Sequence, residues 1–378
     1  MSTDKMRQEV GKLTNEASIK DYDKKLVEFS GNDLDIVIYG AGKIGENCLA
    51  FINKSREVTC FLDMKADEKN EYCDLPVFHP DSPHLSERRR KNTLVVLALF
   101  LPKNEYLDIE CNLRNMGYQH FVNAVYDLGV ALGSKYYKAQ GRRFFADDAD
   151  EILTAYDLMS DNHSKEVFYS VFRSYALSDY DIQTQSIGMV QYVDVQVPFR
   201  NNFKTFVDCG AFNGDTLRSL VDYHDVKRYF GFEPDISNFE ALSQTYDELS
   251  HKLGFAVLFP TGVGKSNEFL RFSSSGTSGR IDSFGSKIAQ TVRMDDVLKG
   301  NDELMIKMDV EGDELSAICG AKGVITKTQP DLAICVYHHV GDLWDIPLLL
   351  HEWVPEYKFY LRNHAPYTIE TVLYATVQ

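Results

Sequence analysis

The sequence has no long hydrophobic run, no closely paired cysteines and no excess of positive charge. Its longest uninterrupted apolar stretch, residues 94–101, is far shorter than the roughly 20 residues that span a bilayer. No membrane span is expected. The first ten residues lack the apolar core of a signal peptide. Cysteines 48, 60, 73, 111, 209, 319 and 335 are odd in number, scattered and free of any C-x-x-C pattern. That argues against a disulfide frame or a zinc site, and for reduced thiols in a cytoplasmic protein. With 40 basic against 56 acidic residues, the net charge is −16. A nucleic-acid binder needs a basic face to release counterions, so nucleic acid is not an expected partner. The short run Arg88-Arg-Arg-Lys91 reads as a solvated loop.

At 378 residues, the chain exceeds one ordinary core and predicts two globular domains. Residues 1–30 are polar and helix-prone, a short leader. Residues 31–135 alternate strands (Asp35–Tyr39, residues 58–63, residues 93–98 and one near Phe121) with helices, the pattern of a parallel sheet. Residues 136–188 carry apolar side chains at helical spacing (Ile152, Leu153, Tyr156; Val167, Phe168, Val171, Phe172) and predict a helical connector packed between the domains. The alternation over residues 189–197 predicts a strand leading into a second domain, 189–378. Its strands are expected at residues 205–209, 228–233, 255–259, 303–310, 332–338, 358–362 and 371–376. Residues 268–294 are read as an added hairpin with a mobile Ser/Gly tip at 273–279. The fold class is α/β, with two Rossmann-like parallel-sheet domains.

Chemistry concentrates in three places. Phe206-Val-Asp208-Cys-Gly210-Ala211-Phe-Asn213-Gly214-Asp215-Thr216 reads as a strand ending in an acid, then a glycine-rich turn opening a helix. A second strand ends at Glu233-Pro234, 25 residues after Asp208. In a parallel α/β sheet, ligands sit at the carboxyl ends of strands, and a strand-end acid can accept both hydroxyls of a ribose. The glycine spacing differs from the dinucleotide pattern. It resembles the S-adenosylmethionine (SAM) loop of class I methyltransferases, and Asp208 and Asp215 would offset the cofactor's positive charges. The second place is Lys307-Met-Asp309-Val-Glu311-Gly312-Asp-Glu314. The period of two puts Lys307, Asp309 and Glu311 on one strand face, costly unless paired or used. The third is Tyr337-His338-His339 at the end of the next strand, within reach of Asp309. Asp309, Glu311 and a histidine could also hold a divalent ion such as Mg²⁺, but the spacing is not diagnostic and no metal is assigned.

With Met294-Asp-Asp-Val-Leu298, these blocks resemble the FkbM family of SAM-dependent O-methyltransferases over about residues 190–378. The resemblance implies a class I methyltransferase fold in the C-terminal half, acting mainly on hydroxyls of sugars, glycans or polyketides. It assigns Asp208, Gly210 and Gly214 to the methionine part of SAM, and Glu233 to its ribose. It places Lys307, Asp309 and Glu311 near the acceptor. A sugar hydroxyl is far less acidic than these side chains, so deprotonation should accompany transfer. His338 or Asp309 is the expected base, and Lys307 the group steadying the alkoxide.

Gly40-x-Gly42-x-x-Gly45, followed by Asp63, has the sequence context of a dinucleotide fingerprint. It is compatible with a bound dinucleotide, with another nucleotide-like ligand, or with tight strand–helix packing alone. The expected function is SAM-dependent O-methylation of a sugar, nucleotide-sugar or glycan. The alternatives are a nucleotide-sugar oxidoreductase using that fingerprint and a non-catalytic scaffold in glycan assembly. A homo-oligomer is left open.

Overall fold

The computed structural model describes residues 2–15, 33–53, 56–66, 71–99, 101, 103–125, 144–177, 190–192, 196–199, 203–275, 278–281, 287–298, 303–365 and 368–377. Two compact units result: Arg7–Ala149 with Val171–Ile182, and Met1–Met6 with Asp150–Ser170 and Gln183–Gln378. No helix among the described residues is long and apolar enough to cross a membrane. In the leader, Thr3–Leu13 is helical and buries Met6 and Val10.

In the first unit, strands β1 (Asp35–Tyr39), β2 (Val58–Leu62), β3 (Glu71–Tyr72), β4 (Leu75–Phe78), β5 (Thr93–Leu97) and β6 (His120–Asn123) form one sheet, ordered β3-β4-β2-β1-β5-β6. All pairs are parallel except β3 with β4. Strand β1 is apolar from Ile36 to Tyr39 because both its faces are covered. Ile36 and Ile38 join Cys48, Ile52 and Phe61 on one side. Val37 joins Val95, Tyr106 and Leu113 on the other. The β3–β4 hairpin was not expected from the sequence. Its turn residues Cys73 and Asp74 both have positive φ, a geometry usually announced by Asn-Gly or Asp-Gly.

The second unit contains β7 (Thr205–Cys209), β8 (Arg228–Phe232), β9 (Phe255–Phe259), β10 (Gly262–Val263), β11 (Glu268–Ser275), β12 (Ser278–Ile281), β13 (Lys287–Val292), β14 (Leu304–Met308), β15 (Asp331–Cys335), β16 (Lys358–Asn363) and β17 (Thr371–Thr376). Seven of them form the main sheet, β16-β17-β15-β14-β7-β8-β9. Only β17 runs antiparallel to its neighbours, so the last two strands close the sheet as a class I methyltransferase fold requires. Chain order reverses between β7 and β14, which opens a crevice at their carboxyl ends. Strands β10-β13-β11-β12 make a second small sheet, inserted between β9 and β14.

Two expectations change here. Residues 190–192 and 196–199 are not strand; Tyr192 has φ 67°, and its N–H donates to the Tyr374 hydroxyl at 3.0 Å. The alternating pattern reflects Tyr192 and Val197 being buried from an irregular segment; residues 189 and 193–195 lie outside the described residues. The expected Ser/Gly loop is strand through Ser275, paired from Phe272↔Ile281 to Ser275↔Ser278. Its tip, 276–277, lies outside the described residues.

Residues Asp150–Ser170 of the expected connector belong to the second unit and cover its edge strand. Ser160 and Ser164 hydroxyls each accept a β16 backbone N–H, from Phe359 and Leu361, at 3.0 Å. This satisfies donors that an open sheet edge would leave exposed. Arg362, 2% exposed, donates to Asp161 at 2.8 Å and to Ser164 at 2.9 Å. Asp161 is held below the usual carboxylate range: burial pushes it up, but hydrogen bonds from Arg362 and Ser164 outweigh that. Removing the guanidinium leaves this carboxylate without its cation. Arg362→Ala should lower unfolding free energy by about 1–2 kcal/mol in urea titration, less than for a fully buried pair because the Asp161 side chain is 34% exposed.

Candidate active site

The crevice at the β7/β14 reversal is a cleft of about 340 Å³, large enough for a nucleoside-sized ligand. The glycine-rich turn forms one wall. Gly210 has φ +77°, and a Cβ there would stand 1.8 Å from the Asp309 carbonyl oxygen, so only glycine lets the turn lie against the end of β14. Most of the turn's amides are already engaged within the protein. Gly210 and Ala211 donate to the Phe232 carbonyl, Gly214 to that of Ala211, Asp215 to the Asn213 side chain and Thr216 to the Asp215 side chain. The turn therefore supplies shape and side chains more than the row of free N–H donors expected for a carboxylate.

Glu233 ends β8 and faces the cleft. Its two oxygens accept N–H groups of Phe212 at 2.9 Å and Asp235 at 2.8 Å. Burial outweighs these bonds and lifts its pKa to about 7. Pro234, Asn238, Asp215 and Thr216 line the same end, with Phe212, Val263, Phe272 and Ala289 as apolar walls. Asp208, Ala211, Asn213 and Gly214 are not part of the wall.

Asp208 points inward. Completely buried, it pairs with Lys307 Nζ at 3.0 Å and accepts the Tyr229 hydroxyl at 2.9 Å. Lys307 also donates to the Gly210 carbonyl at 2.6 Å and sits 5.1 Å from the centre of the Tyr192 ring. Burial pulls the ammonium's pKa down, but Asp208 and Asp309 more than restore it. Lys307 is thus a fixed cation that ties turn to strand. Asp208 therefore does not face the cofactor as the sequence reading had it, whereas Lys307 still borders the cleft.

At the other end of the cleft stand Asp309, Glu311 and Glu370, with Tyr192 and Tyr337. Tyr192 donates to Asp309 Oδ2 at 2.9 Å. Tyr337 lies 3.5 Å from Asp309 and 3.4 Å from Glu370, which also pairs with Gln191. Burial would raise the Asp309 pKa, yet Lys307, His338 and Tyr192 hold it below the ordinary value. Glu311 and Glu370 are raised, mainly by burial. Among the described residues, eight non-glycine residues have positive φ. Four of them (Tyr192, Phe212, Glu311 and Glu370) line this cleft. Strain of that kind concentrates where side chains are aimed for use.

His338 sits behind the wall. It pairs with buried Glu314 at 2.9 Å, and its Nε2 is 3.7 Å from both Asp309 and Glu311. Burial works against its charge, but the three carboxylates lift its pKa to about 10. That shift favours the imidazolium at neutral pH, a state that does not suit the base expected from the sequence. This cation stabilises the fold fully below its ordinary pKa of 6.5, and the contribution fades as pH rises through about 10. His339 bonds to the Gly312 carbonyl at 3.0 Å and holds the turn instead of facing the cleft. Asp309, Glu314 and His338, and likewise Asp309, Cys335 and Glu370, bring ligand-type atoms within 4.8 Å of one another. No ion is assigned to either group. Glu370 and Tyr192 escaped the sequence reading because they lie outside the motif blocks; only the fold brings them to Asp309.

In the first unit, Gly45 is required by packing: a Cβ would stand 2.1 Å from the Gly40 carbonyl oxygen. A Cβ at Gly42 would meet nothing within 4 Å. Asp63 follows β2, and its oxygens accept N–H groups of Ala41 at 3.0 Å and Lys65 at 2.9 Å, closing the turn.

Residues 208–360 match the family model of the methyltransferase FkbM domain. Among solved structures, the chain is similar to the crystal structure of methyltransferase FkbM from Methylobacillus flagellatus KT. The TM-score is 0.67 and the identity 20%, over 99% of this chain and 100% of that one; at that identity the likeness concerns the fold. No curated protein matches the chain. The segment that matches the methyltransferase FkbM family model runs from Asp208, within β7, into β16 and carries the turn, Glu233 and Asp309.

Proposed function

We propose that the protein is a SAM-dependent O-methyltransferase acting on a hydroxyl of a sugar, nucleotide-sugar or glycan. The observation that carries this reading is one cleft with a ribose-type acid, Glu233, at one end and an ionised carboxylate, Asp309, at the other. The residues fit the cofactor. Glu233 would take the ribose hydroxyls, Phe212, Val263 and Ala289 the adenine, and Asp215 the ammonium. SAM brings an activated methyl group on a sulfonium. The protein's part is to align an acceptor oxygen and take its proton. Asp309 is the group suited to that: it borders the cleft, stays ionised, and is held in place by the Tyr192 hydroxyl. Carboxylates, phenols and the Gln191 amide at this end are hydrogen-bonding groups of the kind that hold a polyol. That composition favours a carbohydrate acceptor.

Two outcomes are expected. An ionised Glu233 accepts ribose hydroxyls better than a protonated one, so SAM affinity should rise with pH through about 7. Calorimetry should find binding up to about tenfold weaker at pH 6 than at pH 8, and Glu233→Gln should flatten that dependence. The same group acts oppositely on the free fold. Because its folded pKa is raised, its stabilising contribution is present below pH 4.5 and lost as pH rises through about 7. Asp309→Asn should cut methyl transfer to a panel of sugars and nucleotide-sugars by about 10²- to 10⁴-fold and leave SAM affinity unchanged. Normal turnover in that variant would remove Asp309 from the reaction.

A further inference from the structure

We infer that His338 is a positioning residue: anchored by Glu314, it clamps Asp309 and Glu311 at the acceptor end of the cleft and does not itself receive the acceptor's proton. The inference rests on the methyl-transfer reading above. Glu314 is wholly buried, and its Oε1 accepts both the Val310 N–H and His338 Nδ1, each at 2.9 Å. That contact fixes the ring, so Nε2 faces Asp309 Oδ1 and Glu311 Oε2 at equal distances of 3.7 Å. Asp309 and Glu311 border the cleft, whereas His338 does not.

The charge arrangement makes the clamp necessary. Asp309, Glu311, Glu314 and Glu370 gather around this strand end, with Tyr192, Tyr337 and Cys335 as further titratable neighbours. The nearby Lys307 is committed to Asp208 and the Gly210 carbonyl. His338 is the cation that Asp309 and Glu311 share. His339 does a separate job on the backbone: a Cβ at Gly312 would stand 2.8 Å from its Nε2, so glycine and ring together set the turn after Glu311.

The test combines histidine NMR on the full chain with pH–rate profiles, using SAM and the best acceptor from a panel of monosaccharides and nucleotide-sugars. The His338 ring should remain an imidazolium past pH 8 in the wild type and titrate at lower pH in Glu314→Gln. In His338→Gln, the acid limb of kcat/KM should move up by about one unit, because Asp309 loses a neighbouring positive charge. KM for SAM should hold within about twofold, a split expected when only the acceptor end is disturbed. His338→Lys should return the limb toward the wild-type position. A ring that titrates near 6.5, or an unmoved acid limb in His338→Gln, overturns the clamp. So does loss of all activity in both His338 variants with SAM binding intact, the result for a proton acceptor. If the wild type methylates no acceptor, the methyl-transfer reading fails, and the ring titration in wild type and Glu314→Gln still decides the clamp. That titration also decides it if His338→Gln does not fold.

Discussion

The buried pair Lys307–Asp208 is the contact on which the cleft depends. It joins β14 to β7 at the point where strand order reverses, and the same ammonium holds the Gly210 carbonyl. Two charges taken out of water are costly unless their remaining valences are filled. Here the Tyr229 hydroxyl closes one side and the Tyr192 ring covers the other. The result is a turn held against a strand without a free row of amides, and a fixed positive charge beneath Asp309.

From that fixed charge follows a graded set of acids. Asp309 is kept ionised by Lys307, His338 and Tyr192, whereas Glu311 and Glu370 are pushed the other way by burial. Glu233 is lifted to about 7, chiefly by burial. Carboxyl groups in one crevice are thus pushed in opposite directions because their neighbours differ, the kind of arrangement proton-transfer chemistry uses.

Much of this was legible in the chain. A strand buried on both faces, such as β5, announces itself as a continuous apolar run from Leu94 to Leu97, and the interval from Asp208 to Glu233 located adjacent strand ends. The positions were clearer than the roles. Sequence spacing put Asp208, Lys307 and Asp309 together, but only the pairing register could reveal that the first two neutralise each other. His338 looked like a base because Asp309 alone was placed within its reach; Glu314, which opens the following helix, and Glu311 join it only in the fold. Tyr192 and Glu370 were missed: the alternation over 189–197 pointed to a strand, whereas Tyr192 reaches Asp309 from an irregular segment with positive φ, and Glu370 lies outside the motif blocks.

The small sheet β10-β13-β11-β12 supplies Val263, Phe272, Ala289 and Thr291 to the cleft wall while standing outside the seven-stranded scaffold. Rigid machinery and replaceable lining are therefore encoded by separate stretches of chain. Exchanges in the inserted piece would reshape that wall and leave the buried ion pair and its dependent acids intact.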